Sequence, residues 1–308
     1  MKVFVTGATG FIGSAVVKEL LLAGHQVLGL VRSENGAKAL HALGAEVHFG
    51  DLKDIESICK GAASADGVIH TAFNHDDFTV FKESCEHDRR IIEALGSVYT
   101  GDDRPIIVTS ALGILSSGHI VFESDSPTSG PNPRIASEQA ADAVAATSVR
   151  VAVVRLSPTV HGKGDHGFIS MLINIAREKG ISVYQKEPLN YWPAVHRLDA
   201  AKLYRLALET VAPSGTRYHA AAEQGVPFKD IATAIGQALN VPVVAKNKEE
   251  AALHFGSFAH FAAMNVQASS EETQRALTWQ PVETTLLKDI ESNYNQLSPT
   301  LTDNNNVN

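Results

Sequence analysis

The first thirteen residues constrain the fold more than any other segment. An apolar run, Val3-Phe4-Val5, continues directly into Thr6-Gly7-Ala8-Thr9-Gly10-Phe11-Ile12-Gly13, with a glycine at every third position. This spacing lets the backbone turn sharply after a buried strand and packs the next helix closely on the sheet. The N-terminus of that helix presents unpaired N–H groups and a positive dipole end, so an anion can bind there without a lysine. The segment therefore predicts a strand–turn–helix unit that binds a pyrophosphate.

Apolar strands and amphipathic helices alternate along the rest of the chain with short breaks. This alternation predicts an α/β fold with a doubly wound parallel (Rossmann) sheet and a smaller C-terminal substrate lobe. The strands predicted for the sheet are 3–5, 27–31, 46–49, 67–70, 106–108 and 151–156.

Five segments together resemble one family. They are the glycine turn at 6–13, Gly50-Asp51-Leu52, Val68 to Ala72, Val195 to Asp199, and Leu277 to Pro281. In this order they are similar to the TGxxGxxG motif, the adenine-contacting segment, the strand end near the cofactor, the "VHVDD" stretch and the closing "LGWxP" of the extended and atypical short-chain dehydrogenase/reductases, also labelled NAD-dependent epimerase/dehydratase. The resemblance extends to about residue 297 and implies an enzyme that binds a nicotinamide dinucleotide.

Arg32, at the end of the second strand, bears on the choice of cofactor. In this fold an acidic residue there binds the ribose 2′-hydroxyl, whereas arginine accommodates a 2′-phosphate. Arg32 therefore predicts NADP(H) rather than NAD(H), unless it is only a solvated arginine. By resemblance Asp51 contacts the adenine, and the alternative is a helix N-cap. The predicted cofactor-binding residues are Thr6, Gly7, Thr9, Gly10, Phe11, Ile12, Gly13, Arg32, Asp51, Leu52, Thr71, Ala72, Phe73, Ser110, Ser157, Pro158 and Val160.

The expected catalytic motif is incomplete. Ser110, at the end of the fifth strand, matches the family's catalytic Ser/Thr, although a strand-end serine can also simply bond the backbone. The YxxxK motif that the resemblance implies is absent, and Arg134 and Glu138 occupy its tyrosine and lysine positions. A guanidinium stays protonated and cannot donate a proton to an alkoxide, but it can stabilise an oxyanion. Glu138 can accept from ribose hydroxyls or pair with Arg134 at i, i+4, and this pair can also be an ordinary surface salt bridge.

Other polar and aromatic residues complete the candidate site. His161 stands at the tyrosine position of a segment that resembles "RPxxVYG", and His166 follows in the same glycine-rich loop, so either can be a general acid or a packing residue. Aromatic residues near 181–193 predict substrate walls, or else part of the lobe core. The predicted catalytic residues are Ser110, Arg134, Glu138 and His161, and the predicted substrate contacts are Ser110, Arg134, His166, Tyr184, Tyr191 and Trp192.

Composition excludes several classes of function. The net charge of -8 without a basic block argues against nucleic acid or an anionic membrane surface as a partner. No apolar run is long enough to span a membrane, and the sequence begins directly with a strand, so a cytoplasmic location is expected. Two cysteines without ligand spacing predict free thiols and no metal. The alanine-rich helix 135–146 predicts close helix packing, either within a monomer or across a homodimer.

These observations lead to a domain plan and a functional hypothesis. We expect an NADP-binding Rossmann domain over 1–156, to which 195–222 returns, a substrate lobe from 157–194 and 223–297, and a disordered tail over 298–308. Asp199 is expected to N-cap the helix that follows it. The hypothesis is an NADP(H)-dependent oxidoreductase that reduces a carbonyl or related unsaturated small metabolite. The alternatives are a non-redox isomerase, lyase or cyclase that retains the cofactor, and a non-catalytic NADP(H)-sensing protein.

Overall fold

The computed structural model describes residues 1–74, 78–115, 118–127 and 132–294, and the predicted tail lies outside these ranges. The strands, in chain order, are β1 (Lys2–Thr6), β2 (Gln26–Val31), β3 (Glu46–Phe49), β4 (Gly67–His70), β5 (Ile106–Ala111), β6 (Ile120–Val121), β7 (Val151–Leu156), β8 (Thr159–His161), β9 (Ser182–Gln185), β10 (Tyr191–His196), β11 (Thr216–Ala220), β12 (Glu223–Pro227), β13 (Val243–Lys246) and β14 (Gln267–Ala268). The α-helices are α1 (Phe11–Leu22), α2 (Glu34–Leu43), α3 (Ile55–Ala63), α4 (Phe81–Val98), α5 (Ile135–Ala145), α6 (Phe168–Lys179), α7 (Arg197–Glu209), α8 (Phe228–Leu239), α9 (Lys248–Phe255), α10 (Ala259–Ala262), α11 (Glu271–Leu277) and α12 (Leu286–Asn293).

Seven strands form the central sheet, in the order β11-β7-β5-β4-β1-β2-β3, and all neighbouring pairs are parallel. The chain starts in the middle, at β1, and winds outward in both directions, so the strand order reverses between β1 and β4. Open α/β sheets bind their ligands outside the carboxyl ends of the strands at such a reversal. The predicted fold class is confirmed.

Helices cover both faces of this sheet. The apolar residues of α1, α2 and α7 form one core cluster with the sheet, and those of α3, α4 and α5 form another. At Gly96 of α4, a Cβ would lie 2.5 Å from a methyl carbon of Val144, so α4 and α5 pack at very close range. Ala140 and Ala141 of α5 are buried in this intramolecular core. These two alanines therefore serve packing within the chain, and a homodimer stays a prediction.

A second group of elements forms the smaller lobe around a three-stranded sheet, β12-β10-β8, and the pair β13-β9. Its core includes Trp192, which is 0% exposed and packs edge-on against Phe228 at 4.9 Å between ring centroids. The indole N–H of Trp192 donates to the carbonyl of Met264 at 3.0 Å. Trp192 therefore belongs to the lobe core, which is the alternative that the sequence left open, and a contact between its ring and substrate stays a prediction. The boundaries of domain and lobe stay a prediction.

Helix α7 returns the chain to the central sheet. It begins earlier than expected, with His196 rather than Asp199 at its N-cap. The carboxylate of Asp199 instead accepts hydrogen bonds from the backbone N–H groups of Val282 and Glu283, both at 3.0 Å, and its carbonyl accepts from the indole of Trp279. The predicted N-cap role of Asp199 is thus wrong, and the residue anchors the C-terminal segment to α7.

Candidate active site

The glycine turn packs against the end of β4. Gly7 has φ +69°, and a Cβ there would lie 2.8 Å from both the backbone nitrogen of Ala72 and the hydroxyl of Thr71. A Cβ on Gly13 would lie 2.0 Å from the carbonyl oxygen of Gly7. Both positions therefore require glycine, the first for its conformation and its neighbours and the second for the tight approach of α1 to the turn.

Gly10 differs from these two glycines. It is the N-cap of α1 with φ -74°, and a Cβ there would meet only the Gly7 carbonyl oxygen, at 3.2 Å. No side chain caps the helix, and the first backbone bond to Gly10 comes from the N–H of Ser14. The N–H groups of the first helical turn therefore have no intrahelical partner. The space beside Gly10 and these donors fit a pyrophosphate.

The adenosine end of the predicted cofactor site lies at β2 and β3. Arg32 is exposed at the end of β2 and makes no hydrogen bond or ion pair with the described residues, while the hydroxyl of Ser33 caps α2. Asp51 accepts from the backbone N–H of Lys53 at 2.8 Å, and the N-cap of α3 is Asp54. The N-cap alternative for Asp51 is therefore wrong, and its adenine contact stays a prediction. Leu52 packs against the core beneath this edge.

A buried chain of hydrogen bonds connects the glycine turn with α4. The hydroxyl of Thr6 lies 2.6 Å from Nδ1 of His70, and Nε2 of His70 lies 3.0 Å from a carboxylate oxygen of Asp88. An ionised carboxylate only accepts, so Nε2–H donates to Asp88, and in the neutral imidazole Nδ1 accepts from Thr6. These contacts give His70 a structural role between the glycine turn and α4.

Arg134 completes this chain from the N-cap of α5. Its Nη1 donates to Asp88 at 2.6 Å and to the hydroxyl of Ser137, and its Nη2 donates to the carbonyl of Thr109 at 2.9 Å. Its guanidinium also stacks over Phe73, 4.1 Å from the ring centroid. Burial alone would raise the pKa of Asp88, but the charge of Arg134 and the bond from His70 hold it far below its usual range. The charge of Arg134 is thus largely compensated by a buried carboxylate.

Glu138 pairs with different arginines from the one predicted. Its two oxygens accept from Nε and Nη2 of Arg155, both at 2.7 Å, and Arg217 adds a third contact at 3.1 Å. Burial raises the pKa of the Glu138 carboxyl, but the bonds from Arg155 outweigh it and the net shift is downward. The predicted pair between Glu138 and Arg134 is therefore wrong. Glu138 is 1% exposed, and its contact with a ribose stays a prediction.

Ser110 lies beside this ion pair. It is 2% exposed, and its hydroxyl has no hydrogen-bond partner of ordinary geometry among the described residues, although its proximity contributes to the low pKa of Glu138. Thr109, the preceding residue, points to the other face of the sheet and bonds the hydroxyl of Tyr204 at 2.7 Å. Ser110 and Arg134 both lie at the end of β5, where Arg134 bonds the Thr109 carbonyl, but no hydrogen bond joins the two side chains.

The segment after β7 carries the remaining predicted cofactor residues. The hydroxyl of Ser157 donates to the carbonyl of Ala220, Pro158 is half-buried, and Val160 packs against the core of the central sheet. His161 is fully buried, with Nδ1 2.8 Å from Asp289 of α12 and with Nε2 unpartnered among the described residues.

The predicted substrate residues outside β5 and α5 lie apart from one another. His166 is exposed, and its ring lies edge-to-face with that of Phe11 in the glycine turn, with 5.8 Å between the ring centroids. Tyr184, on β9, is half-buried with the ammonium of Lys229 5.8 Å from its ring. Tyr191 is half-buried on β10, where it pairs with β12. Of this group, only His166 contacts a residue of the glycine turn.

A family model, that of the NAD dependent epimerase/dehydratase family, matches residues 3–221. The chain belongs to this family. The predicted resemblance is thereby confirmed, and the family comprises oxidoreductases and epimerases that bind nicotinamide dinucleotides, which supports an enzyme.

Proteins of known sequence or structure that are similar to this chain include uncharacterized and characterized ones. An uncharacterized protein of Schizosaccharomyces pombe is 48% identical over 293 residues, which is 95% of this chain and 99% of that protein. A 2-alkyl-3-oxoalkanoate reductase of Stenotrophomonas maltophilia is 25% identical over 270 residues, 80% of this chain and 78% of the other. The structure of MoeE5 in complex with UDP-glucose and NAD is 18% identical, with a TM-score of 0.74 over 95% of this chain and 97% of that one, and it shows the shared fold.

The sequence did not predict several residues that hold the side chains of the candidate site in place. Asp88 and Arg155 are the buried partners of Arg134 and Glu138, and Asp289 holds His161 from a helix more than a hundred residues away. A local signal exists for the first two: Asp88 precedes the buried Ile91 and Ile92 at helical spacing, and Arg155 interrupts an apolar strand. In the part of the chain that the structure describes, no helix is long and apolar enough to cross a membrane.

Proposed function

We propose that this protein is an NADP(H)-dependent oxidoreductase that reduces a carbonyl or a related unsaturated group of a small metabolite. The observation that carries the proposal is the open N-terminus of α1 at Gly10, beside the reversal of the strand order. At the end of the adjacent strand, Arg32 has no partner within the described part of the chain. The similarity to an oxoalkanoate reductase supports reduction of a carbonyl.

The residues that would hold the cofactor follow the carboxyl edge of the sheet. The backbone N–H groups of residues 11–13 would bind the pyrophosphate, and Arg32 would bind the 2′-phosphate. Thr71, Ala72 and Phe73, at the end of β4, would lie beneath the nicotinamide ribose. When bound, the cofactor supplies a hydride to the substrate carbon.

The side chains of the site then have separate roles. Arg134 cannot supply a proton, and its bonds to Asp88 and Thr109 make it a residue that positions Phe73 and the end of β5. In this proposal the hydroxyl of Ser110 holds the substrate oxygen. His161 would supply the proton from Nε2 in its imidazolium form, because Asp289 accepts from Nδ1–H and orients the ring, and Nε2 has no partner among the described residues.

One alternative has an observation in its favour. Both residues at the missing YxxxK positions, Arg134 and Glu138, are held in buried ion pairs, as expected of a protein that binds NADP(H) without turning it over. A non-redox isomerase or lyase is less well supported, since two arginines already neutralise Glu138, which would be its base.

Calorimetric titration of NADPH and NADH tests the cofactor assignment. We expect wild type to bind NADPH at least about tenfold more tightly, and Arg32→Ala to remove most of this difference while NADH binding is unchanged. Arg90→Ala, which removes another exposed arginine, is the matched control. Equal affinities of wild type for the two cofactors would contradict the NADP(H) assignment.

Turnover tests the chemistry. NADPH is mixed with a panel of small aldehydes, ketones and oxoacyl esters, and consumption of reduced nicotinamide is compared with the alcohol formed. A one-to-one ratio is expected for a substrate, and His161→Gln should lower kcat with little change in NADPH affinity. Tight NADPH binding without turnover across the panel would favour the sensing protein.

A further inference from the structure

Arg197 and Phe11 bring two elements together at the glycine turn. Phe11 is the first residue of α1, and Arg197 is the first residue of α7, where the chain returns from the lobe. The Cζ atom of Arg197 lies 5.1 Å from the centroid of the Phe11 ring. His166 approaches the same ring edge-on at 5.8 Å.

Arg197 has no charged partner within the described residues. The arginines at 134, 155 and 217 each pair with a carboxylate, whereas half-buried Arg197 makes no ion pair and no hydrogen bond there. Its side chain is instead placed by its neighbours: a Cβ on Gly162 would lie 3.2 Å from Cγ of Arg197. Partly burying an unpaired guanidinium is unfavourable unless an anion meets it.

An anion is expected at this position. The backbone N–H of Phe11 is one of the free donors at the N-terminus of α1, and the guanidinium lies against the side chain of the same residue. Arginine is well suited to this contact because its planar fork can bind two phosphate oxygens and its face can stack on a ring.

We propose that Arg197 binds the pyrophosphate of the cofactor, so that α7 and the turn of α1 hold it together. The proposal rests on the cofactor site of the proposed function, and it is independent of the preference for NADP(H) and of the reaction. It makes cofactor affinity depend on a residue supplied where the lobe rejoins the sheet.

Calorimetric titration with ADP-ribose tests this inference, since that probe contains the pyrophosphate but neither the nicotinamide nor a 2′-phosphate. Arg197→Met keeps the packing on Phe11 and removes the charge, and it should raise the Kd at least about tenfold. Arg197→Lys should recover part of the loss. Arg275→Met, which removes an exposed cation from α11, should bind as wild type. The dependence of Kd on salt should be weaker in Arg197→Met, and thermal unfolding of each variant checks that it is folded.

The possible outcomes separate the two claims. Wild-type affinity in folded Arg197→Met overturns the role of Arg197 and leaves the cofactor site intact. An equal loss in Arg275→Met also overturns it, because net charge would then explain the effect. If Arg197→Met does not fold, unchanged ADP-ribose affinity and salt dependence in Arg197→Gln overturn it in the same way. Absence of ADP-ribose binding by wild type overturns the cofactor site itself, and the inference with it.

Discussion

Asp88 and Arg134 form an ion pair of 2.6 Å in which only 3% and 9% of the two side chains are exposed. The pair joins α4 to the N-terminus of α5, and Asp88 also holds His70, whose other nitrogen bonds the strand that enters the glycine turn. The site is therefore organised by a buried polar chain whose members are far apart in sequence. The charges of Asp88 and Arg134 balance only while both residues are present.

Asp88→Asn should destabilise the fold strongly. The substitution leaves the buried guanidinium of Arg134 without a counter-charge, a situation that typically lowers the free energy of unfolding by about 3 to 5 kcal/mol. Glu93→Gln, at an exposed position of the same helix, should change it by less than about 0.5 kcal/mol. Urea unfolding measures both. Similar small losses in the two variants would show that the ion pair is not needed for the fold.

Substitutions of Gly7 and Gly10 should have opposite consequences. Gly7→Ala places a Cβ 2.8 Å from the backbone of Ala72 at a positive φ, so the melting temperature should fall. Gly10→Val should still fold, because φ is ordinary and a Cβ there meets only the Gly7 carbonyl oxygen, at 3.2 Å, but it should abolish NADPH binding. Thermal unfolding and calorimetry distinguish the two. Normal NADPH binding by Gly10→Val would contradict the predicted pyrophosphate site at the glycine turn.

Restoring the missing lysine of the motif should fail. Glu138→Lys would place a third cation beside Arg155 and Arg217 in a site that is 1% exposed, so we expect no soluble folded protein. Glu138→Gln keeps the shape and loses the charge, and it should lower the free energy of unfolding by several kcal/mol. Expression yield, circular dichroism and urea unfolding give the answer. A stable Glu138→Lys variant would mean that Arg155 can take another partner.

Acid should destabilise the protein partly through His219. Burial lowers the pKa of this residue to about 4, below its ordinary value of 6.5, and Arg155, which donates to its Nε2, also lowers it. The unfolded state therefore binds the extra proton first, and this stability is complete above about pH 6.5 and is lost as the pH falls toward 4. Over that range the loss is about 3 kcal/mol. Urea midpoints between about pH 7.5 and 4.5 should fall less in His219→Gln than in wild type. His41→Gln, an exposed control, should follow wild type.

Much of the fold could be predicted because its information is local. β3, β4 and β7 begin and end where apolar runs between turn residues place them, and the glycine turn identifies the strand around which the sheet is wound. Asp199 was misassigned, and the sequence left two alternatives for Trp192, for the opposite reason. An acid before a helix and an aromatic ring in a loop-rich segment are ambiguous until the residues from the C-terminal third that pack on them are known.

The candidate site also combines features that follow from local sequence with features that do not. The glycine positions follow from backbone geometry, so the turn and its close packing against α1 and β4 could be predicted from the sequence. The charge pairing does not follow from local pattern, because Glu138 lies four residues from Arg134 yet binds Arg155 on a neighbouring strand. Helical spacing permits a pair, but burial of a second arginine decides which one forms.

The position of β11 at the outer edge of the sheet has a consequence for the nascent chain. β7, all six of whose residues are buried, gains its second neighbour only when residues 216–220 have been synthesised, after the strands β8 to β10. Until then β7 is an unpaired, largely aliphatic edge, the kind of segment that pairs with other chains. Fragments that end before residue 216 should therefore associate into insoluble material.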